Sequence, residues 1–147
     1  MRKGKNNGFT LVELLLSVAL ISALAAISVP VYRTLISKND LAIAASTFAQ
    51  STRRAQALSQ AVDGDSTWGV SLQSGQVIIF KGVNYAGRDV NFDEIYNIST
   101  TIGFSGVTEI VFNKLTGEPV ASGVTTLTNQ SDTKTVTSNA KGMVSYQ

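Results

Sequence analysis

The chain has no cysteine and no histidine, and only two prolines and one tryptophan among its 147 residues. Without cysteine there is no disulfide and no thiol chemistry. Without histidine there is no imidazole acid–base catalysis and none of the usual zinc ligand sets. No G-x-S-x-G elbow and no phosphate-binding glycine loop is present, and the neighbouring carboxylates Asp93 and Glu94 would point to opposite faces of a strand. Surface solvation is the expectation for both. Nothing here argues for an enzyme, a bound metal or a cofactor.

Charge is also scarce, at 15% of residues, and unevenly placed. The formal balance of +2 depends on Arg2, Lys3 and Lys5, in a stretch of eight residues without an acid; removing those three positive charges turns +2 into −1. A basic pI on that footing says little about a nucleic-acid partner. Lys134 and Lys141 are the only cations in the last stretch, with Tyr146 as the one nearby aromatic, so no nucleic acid is expected.

Hydrophobic residues are concentrated instead. Residues 9–31 are nearly all apolar. As a helix rising about 1.5 Å per residue, that run can cross a hydrocarbon core of roughly 30 Å. The basic residues before it place the N-terminus in the cytoplasm and everything after Tyr32 outside. A secretory signal peptide with a small-residue site at Ala23 to Ala25 is the plain alternative. Against it stand the continuation of the apolar run past that site and the presence of Glu13, because a carboxylate at mid-membrane costs about 2.5–3.5 kcal/mol without a partner.

From Leu35 to Val62 the pattern becomes amphipathic. Leu41, Phe48, Ala55 and Val62 recur seven apart, with Ala44, Ala45 and Leu58 between them, which predicts a helix whose stripe packs on a sheet. Arg53 and Arg54 point about 100° apart and read as solvated. Asp63 to Ser66 form a turn cluster, with too few ligands for a calcium loop. Strands are expected at 68–73, 76–81, 107–113, 124–129, 134–138 and 143–146, joined by turns at Ser74-Gly75, 115–119, 130–132 and 140–142. A weaker segment, 94–102, reads as a strand or an irregular connection. The fold class is α+β: one long N-terminal helix, in a membrane half and an amphipathic half, packed on a small antiparallel sheet or sandwich. The expected organisation is a leader at 1–8, a transmembrane segment at 9–31, its amphipathic continuation at 32–63 and a β domain at 64–147.

The stretch KNNGFTLVELLLSVALISALAAISVPVY resembles the class III leader and methylation segment of type IV pilins and type II secretion pseudopilins. The matching elements are the short basic leader, Gly8 before the cut, Phe9 and Thr10 after it, Glu13, and Pro30 near the outer end. The resemblance implies that a prepilin peptidase cleaves between Gly8 and Phe9 and methylates the Phe9 amine. It implies further that Glu13 pairs with the Phe9 amine of a neighbouring subunit during assembly, that Pro30 kinks the helix, and that an inner-membrane platform builds the filament. An amine left in the bilayer needs a carboxylate close by to offset its desolvation, which supplies a physical reason for Glu13.

Beyond the leader, STRRAQALSQ, WGVSL, IVFNKLTGEPVASGVTTLT and TKTVTSNAKGMVSY make the chain similar to H-type pseudopilins and related minor type IV pilins. The lack of a C-terminal disulfide sets it apart from most major type IVa pilins. A minor subunit that binds DNA or adheres at a filament tip is the other function the resemblance allows.

Overall fold

The structure, a computed structural model, describes residues 8–130 and 132–147; of positions 27–30 it describes only their place in the helix. The expected leader at 1–8 therefore lies outside the described residues except for Gly8, and the bend expected at Pro30 lies outside them as well.

One helix, α1, runs Leu11–Gln60. A one-turn 3-10 helix, Asp63–Asp65, follows it. Eight strands come next: β1 (Trp68–Gln73), β2 (Gln76–Lys81), β3 (Asp89–Asn97), β4 (Gly103–Gly106), β5 (Glu109–Phe112), β6 (Gly123–Thr128), β7 (Thr133–Ser138) and β8 (Val144–Tyr146). They form two antiparallel four-stranded sheets, ordered β3-β2-β1-β5 and β4-β6-β7-β8. The chain divides into two compact units, one ending at Ile36 and the other spanning Ser37–Gln147.

Within the second unit, α1 and both sheets enclose one core. The helix supplies Leu41, Ala44, Ala45, Phe48, Ala49 and Ala55, the first sheet Val70, Leu72, Val77, Ile79, Ile110 and Phe112, and the second Leu127, Val136 and Val144. Four of the six helix residues are alanines. Their short side chains let the backbone approach the sheets, and Phe48, 0% exposed, fills the space between. Thr52 and Ser59 interrupt the stripe but are satisfied: Thr52 Oγ1 donates to the Phe48 carbonyl at 2.7 Å. Ser59 Oγ accepts from Trp68 N–H at 2.8 Å and donates to the Phe112 carbonyl at 3.1 Å, tying helix to β1 and β5.

The expected stripe is borne out at Leu41, Ala44, Ala45, Phe48 and Ala55, all buried, while Leu58 is half-buried against the core. Val62 lies beyond the helix end and takes a left-handed φ of 55°. The Ser59 carbonyl accepts from Val62 and Leu115 N–H groups, which closes the last turn from outside the helix.

In the first sheet, the central strands β1 and β2 are buried on both faces. Opposite the core, Gly69 sits across from Phe80 in one pairing and Val111 in the other. A Cβ at Gly69 would come 2.5 Å from Phe80 Cζ, so the ring lies over the glycine. The loop from Gly82 to Arg88 covers this face: Tyr85 stacks edge-on to Phe80 at 5.7 Å, and the Arg88 guanidinium lies 3.8 Å over the Tyr85 ring. Tyr85 N–H donates to Glu109 Oε1 at 2.9 Å, fastening the loop to β5.

Two strands differ from expectation. The segment read weakly as 94–102 contains the second half of β3, which begins five residues earlier, at Asp89. Beyond β3 the chain turns, and Ile102 enters the core. β4 was not anticipated. It is four residues long with glycine at each end, pairs only with β6, and carries no apolar alternation.

Candidate assembly and processing segment

Gly8, Phe9 and Thr10 precede α1, and Glu13 lies in its first turn. Thr10 and Glu13 close on each other. Glu13 N–H donates to Thr10 Oγ1 at 3.2 Å, while Thr10 N–H and Thr10 Oγ1 both donate to Glu13 Oε2 at 3.4 Å. This reciprocal exchange is a capping box: the threonine satisfies an orphan helix donor and the glutamate reaches back to the threonine backbone. The Thr10 carbonyl accepts the first helical bond, from Leu14 N–H at 3.1 Å. The signature Thr-Leu-Val-Glu that specifies it stands in the sequence. Its effect is to start the helix after Phe9, leaving the Gly8–Phe9 bond in non-helical backbone.

Among the described residues, the surroundings of that bond are open. Phe9 is 86% exposed, and a Cβ on Gly8 would meet nothing within 4 Å. Around Glu13, the leucines, valines and isoleucines from Leu11 to Leu24 are all exposed. By length and composition this part of α1 can cross a membrane, and none of its most apolar window is buried. Its hydroxyls are already partnered: Ser17 Oγ donates to the Glu13 carbonyl at 2.8 Å and Ser22 Oγ to the Val18 carbonyl at 2.7 Å. Such back-bonds remove the penalty of taking a free hydroxyl into lipid. Glu13 is the ionisable group among them, in the turn where the helix macrodipole favours a negative charge.

In the second unit the charged side chains pair across the fold. Arg54 donates two bonds to Glu94, each 2.7 Å, and Tyr96 Oη donates to the same carboxylate at 2.9 Å. The guanidinium holds the Glu94 carboxyl below its ordinary value, against partial burial, and the Tyr96 hydroxyl adds to the effect. Donation to Glu94, together with burial, raises Tyr96. Arg88 clasps Asp93 at 2.9 Å, with side chains only 19% and 9% exposed. Lys114 pairs with Asp65 and Lys141 with Glu118, both at the surface. Arg53 Nη2 donates to the Val144 carbonyl at 2.8 Å. The expectation of solvated residues is thus corrected for Asp93 and Glu94. They do point to opposite sides of β3, but each is an ion-pair anchor, because Arg88 folds back over one face and Arg54 reaches from α1 to the other. Asp63–Asp65 is a turn, as expected. Among the described residues, no three or more acids, histidines or cysteines gather as a metal site.

Comparison with known proteins adds one match. No solved structure matches the chain. Residues 3–29 match the family model of the prokaryotic N-terminal methylation motif, a stretch that includes Gly8, Phe9 and Glu13.

Proposed function

We propose that the chain is a structural subunit of a type IV pilus or a type II secretion pseudopilus. It is made as a precursor, cut between Gly8 and Phe9 by a prepilin peptidase and methylated at the Phe9 amine. The organisation that goes with this reading is a cleaved leader at 1–8, a membrane and assembly segment at 9–31, its amphipathic continuation at 32–63 and an outer β domain at 64–147. The protein is then a single-pass membrane protein with a cytoplasmic N-terminus. An inner-membrane platform transfers it into a filament, with Glu13 engaging the Phe9 amine of the adjacent subunit. Similarity of the later segments to H-type pseudopilins and minor pilins favours a minor role.

The observation that carries the reading is the match of residues 3–29 to the methylation motif. The open Gly8–Phe9 bond just outside a capped helix supports it, since a peptidase needs extended backbone to act on. Pairing with carboxylates neutralises Arg54, Arg88, Lys114 and Lys141, four of the nine basic residues after Gly8, which favours a structural role over DNA uptake. Mass spectrometry of the mature protein tests the proposal: a methylated chain starting at Phe9 is expected, and an N-terminus near Ala26 would overturn it.

A further inference from the structure

Of the strands at the margins of the two sheets, β4, β5 and β8 are blunted and β3 is not. β5 is four residues long, and its outer side is taken by the Phe112–Pro119 bridge and by Val120 N–H, which donates to the Val111 carbonyl. β4 is as short, with glycine at each end, and β8 has three residues, its Val144 carbonyl accepting from Arg53. β3 runs nine residues without proline, glycine or lysine, and most of it is exposed.

The open edge carries a defined pattern of backbone groups. Ile98 N–H donates to the Gly75 carbonyl at 2.9 Å, and the register with β2 then turns the N–H and C=O of Tyr96 and Glu94 inward. Ile95 and Asn97 therefore direct theirs outward, where among the described residues no group bonds to them. Asp93 follows by alternation. Charges that would otherwise guard the edge are neutralised within the fold, Asp93 by Arg88 and Glu94 by Arg54. The register shift between Ile79 and Lys81 distorts the first half of β3 and leaves 94–97 regular.

We infer that a second copy of this chain adds its own β3 to this edge, antiparallel, about a two-fold axis through Ile95. Charge selects the register. With the axis at Ile95, this 56% exposed side chain meets Ile95 of the second copy, Asp93 meets Asn97 and Glu94 meets Tyr96, so no like charges lie opposite. An axis through Glu94 or Asp93 would set carboxylate against carboxylate. One through Tyr96 would keep only 95–97 within the strand, which ends at Asn97. In the Ile95 register the outward groups of 93, 95 and 97 meet one another and exchange about six hydrogen bonds. Each copy thereby covers the other's exposed edge. A two-fold contact closes on itself and cannot extend a filament, so it belongs to the unassembled subunit and is separate from the Phe9–Glu13 contact.

The absence of cysteine makes the test direct, since one introduced thiol can link only to its counterpart. The full chain is taken in detergent with micelles in excess over protein, oxidised in air with copper-phenanthroline and read on a non-reducing gel. Ile95→Cys should give a disulfide-linked dimer, because a hydrogen-bonded pair holds its Cα atoms about 5.5 Å apart. Asn97→Cys lies on the same edge but about 13 Å from its counterpart along the strand, and should link roughly tenfold less. Both positions are exposed, so both variants should melt with the parent chain. In the parent chain, hydrogen exchange of the Ile95 and Asn97 amides should slow several-fold at high protein concentration. No dimer from Ile95→Cys overturns the inference. So does equal linking at both positions, which would report encounter through the apolar stretch of α1, or linking at Asn97→Cys alone. Amides that still exchange as open-edge groups at the highest concentration overturn it as well. None of these results alters the mass of the mature N-terminus, which remains the separate test of the filament reading.

Discussion

The two ends of α1 are continuous as helix and opposite in character. From Leu11 to Leu24 the residues are the more apolar and none is covered; from Leu41 to Ser59 they are more polar, yet a stripe of them is buried. Hydrophobicity alone therefore does not say where a protein places its core. The second stretch is buried because its apolar positions fall on one side at helical period, where a folded sheet can cover them. The first has apolar residues all round, which no single sheet could cover, and only a surrounding medium or several neighbouring helices would. One stretch folds a domain, and the other is long and apolar enough to cross a membrane.

The contrast predicts unequal costs for similar substitutions. Phe48→Ala removes a wholly buried ring between α1 and the sheets and should destabilise the second unit by about 3–5 kcal/mol. Leu20→Ala, in the exposed stretch, should leave the melting of that unit unchanged when both variants of the full chain are compared in detergent. Equal losses would show that the apolar stretch also supports the folded unit.

Gly69→Ala comes next. The added Cβ would lie 2.5 Å from Phe80 Cζ and 3.0 Å from the Ile110 carbonyl oxygen, so the ring must leave its place beneath Tyr85. A loss of about 1–3 kcal/mol is expected in denaturant titration, typical of overpacking. A neutral result would mean that the Gly82–Arg88 loop lifts without penalty.

Legibility in the sequence followed the kind of burial. β1 and β2 lie at the predicted residues because two short, mostly apolar stretches, 68–72 and 77–80, flank a Gln-Ser-Gly-Gln turn, and burial on both faces keeps such stretches apolar. β3 was read late and weakly. It is an edge strand, mostly exposed, and a register shift between Ile79 and Lys81 breaks the alternation that a pattern search needs. In the N-terminal segment Gly8, Phe9 and Glu13 are legible by residue type, whereas the Thr10–Glu13 exchange is a capping signal that the charge pattern does not reveal. Arg54 with Glu94 could not have been seen, since the partners lie forty residues apart and meet only once the sheet has folded.

The capping box allows the two roles of Glu13 to be separated. Glutamine at this position still reaches back to the Thr10 backbone but carries no charge. Glu13→Gln should keep protection from hydrogen exchange at the start of α1 and yet enter filaments poorly if its charge recognises the Phe9 amine. Thr10→Ala should do the reverse, loosening the first turn by about 1 kcal/mol while leaving the charge in place. Normal incorporation of Glu13→Gln, measured as the ratio of sheared filament to membrane-extracted subunit, would defeat the pairing mechanism and leave helix capping as the role of the glutamate.

The smallest effect expected concerns the far stretch of the same helix, where Arg54 joins α1 to β3 through Glu94. The Glu94 carboxyl is held below its ordinary value of 4.5, chiefly by the Arg54 hydrogen bonds, so the folded state favours its ionised form. The associated stability is present in full above the unfolded value and is lost as the pH falls through the lower, folded one. Tyr96 runs the other way: its folded value lies above the ordinary 10.0, so its contribution is present below that and lost as the pH rises through the folded value. The side chains of Arg54 and Glu94 are 54% and 31% exposed, which screens the pair and limits it to less than about 1 kcal/mol. Glu94→Gln should therefore lower the melting temperature slightly at neutral pH and remove part of the acid dependence below pH 4.5, with added salt shrinking the difference between parent and variant. A loss of several kcal/mol at neutral pH would show instead that the pair is a principal clamp between helix and strand, and that α1 depends on its charges as much as on the alanine stripe beneath them.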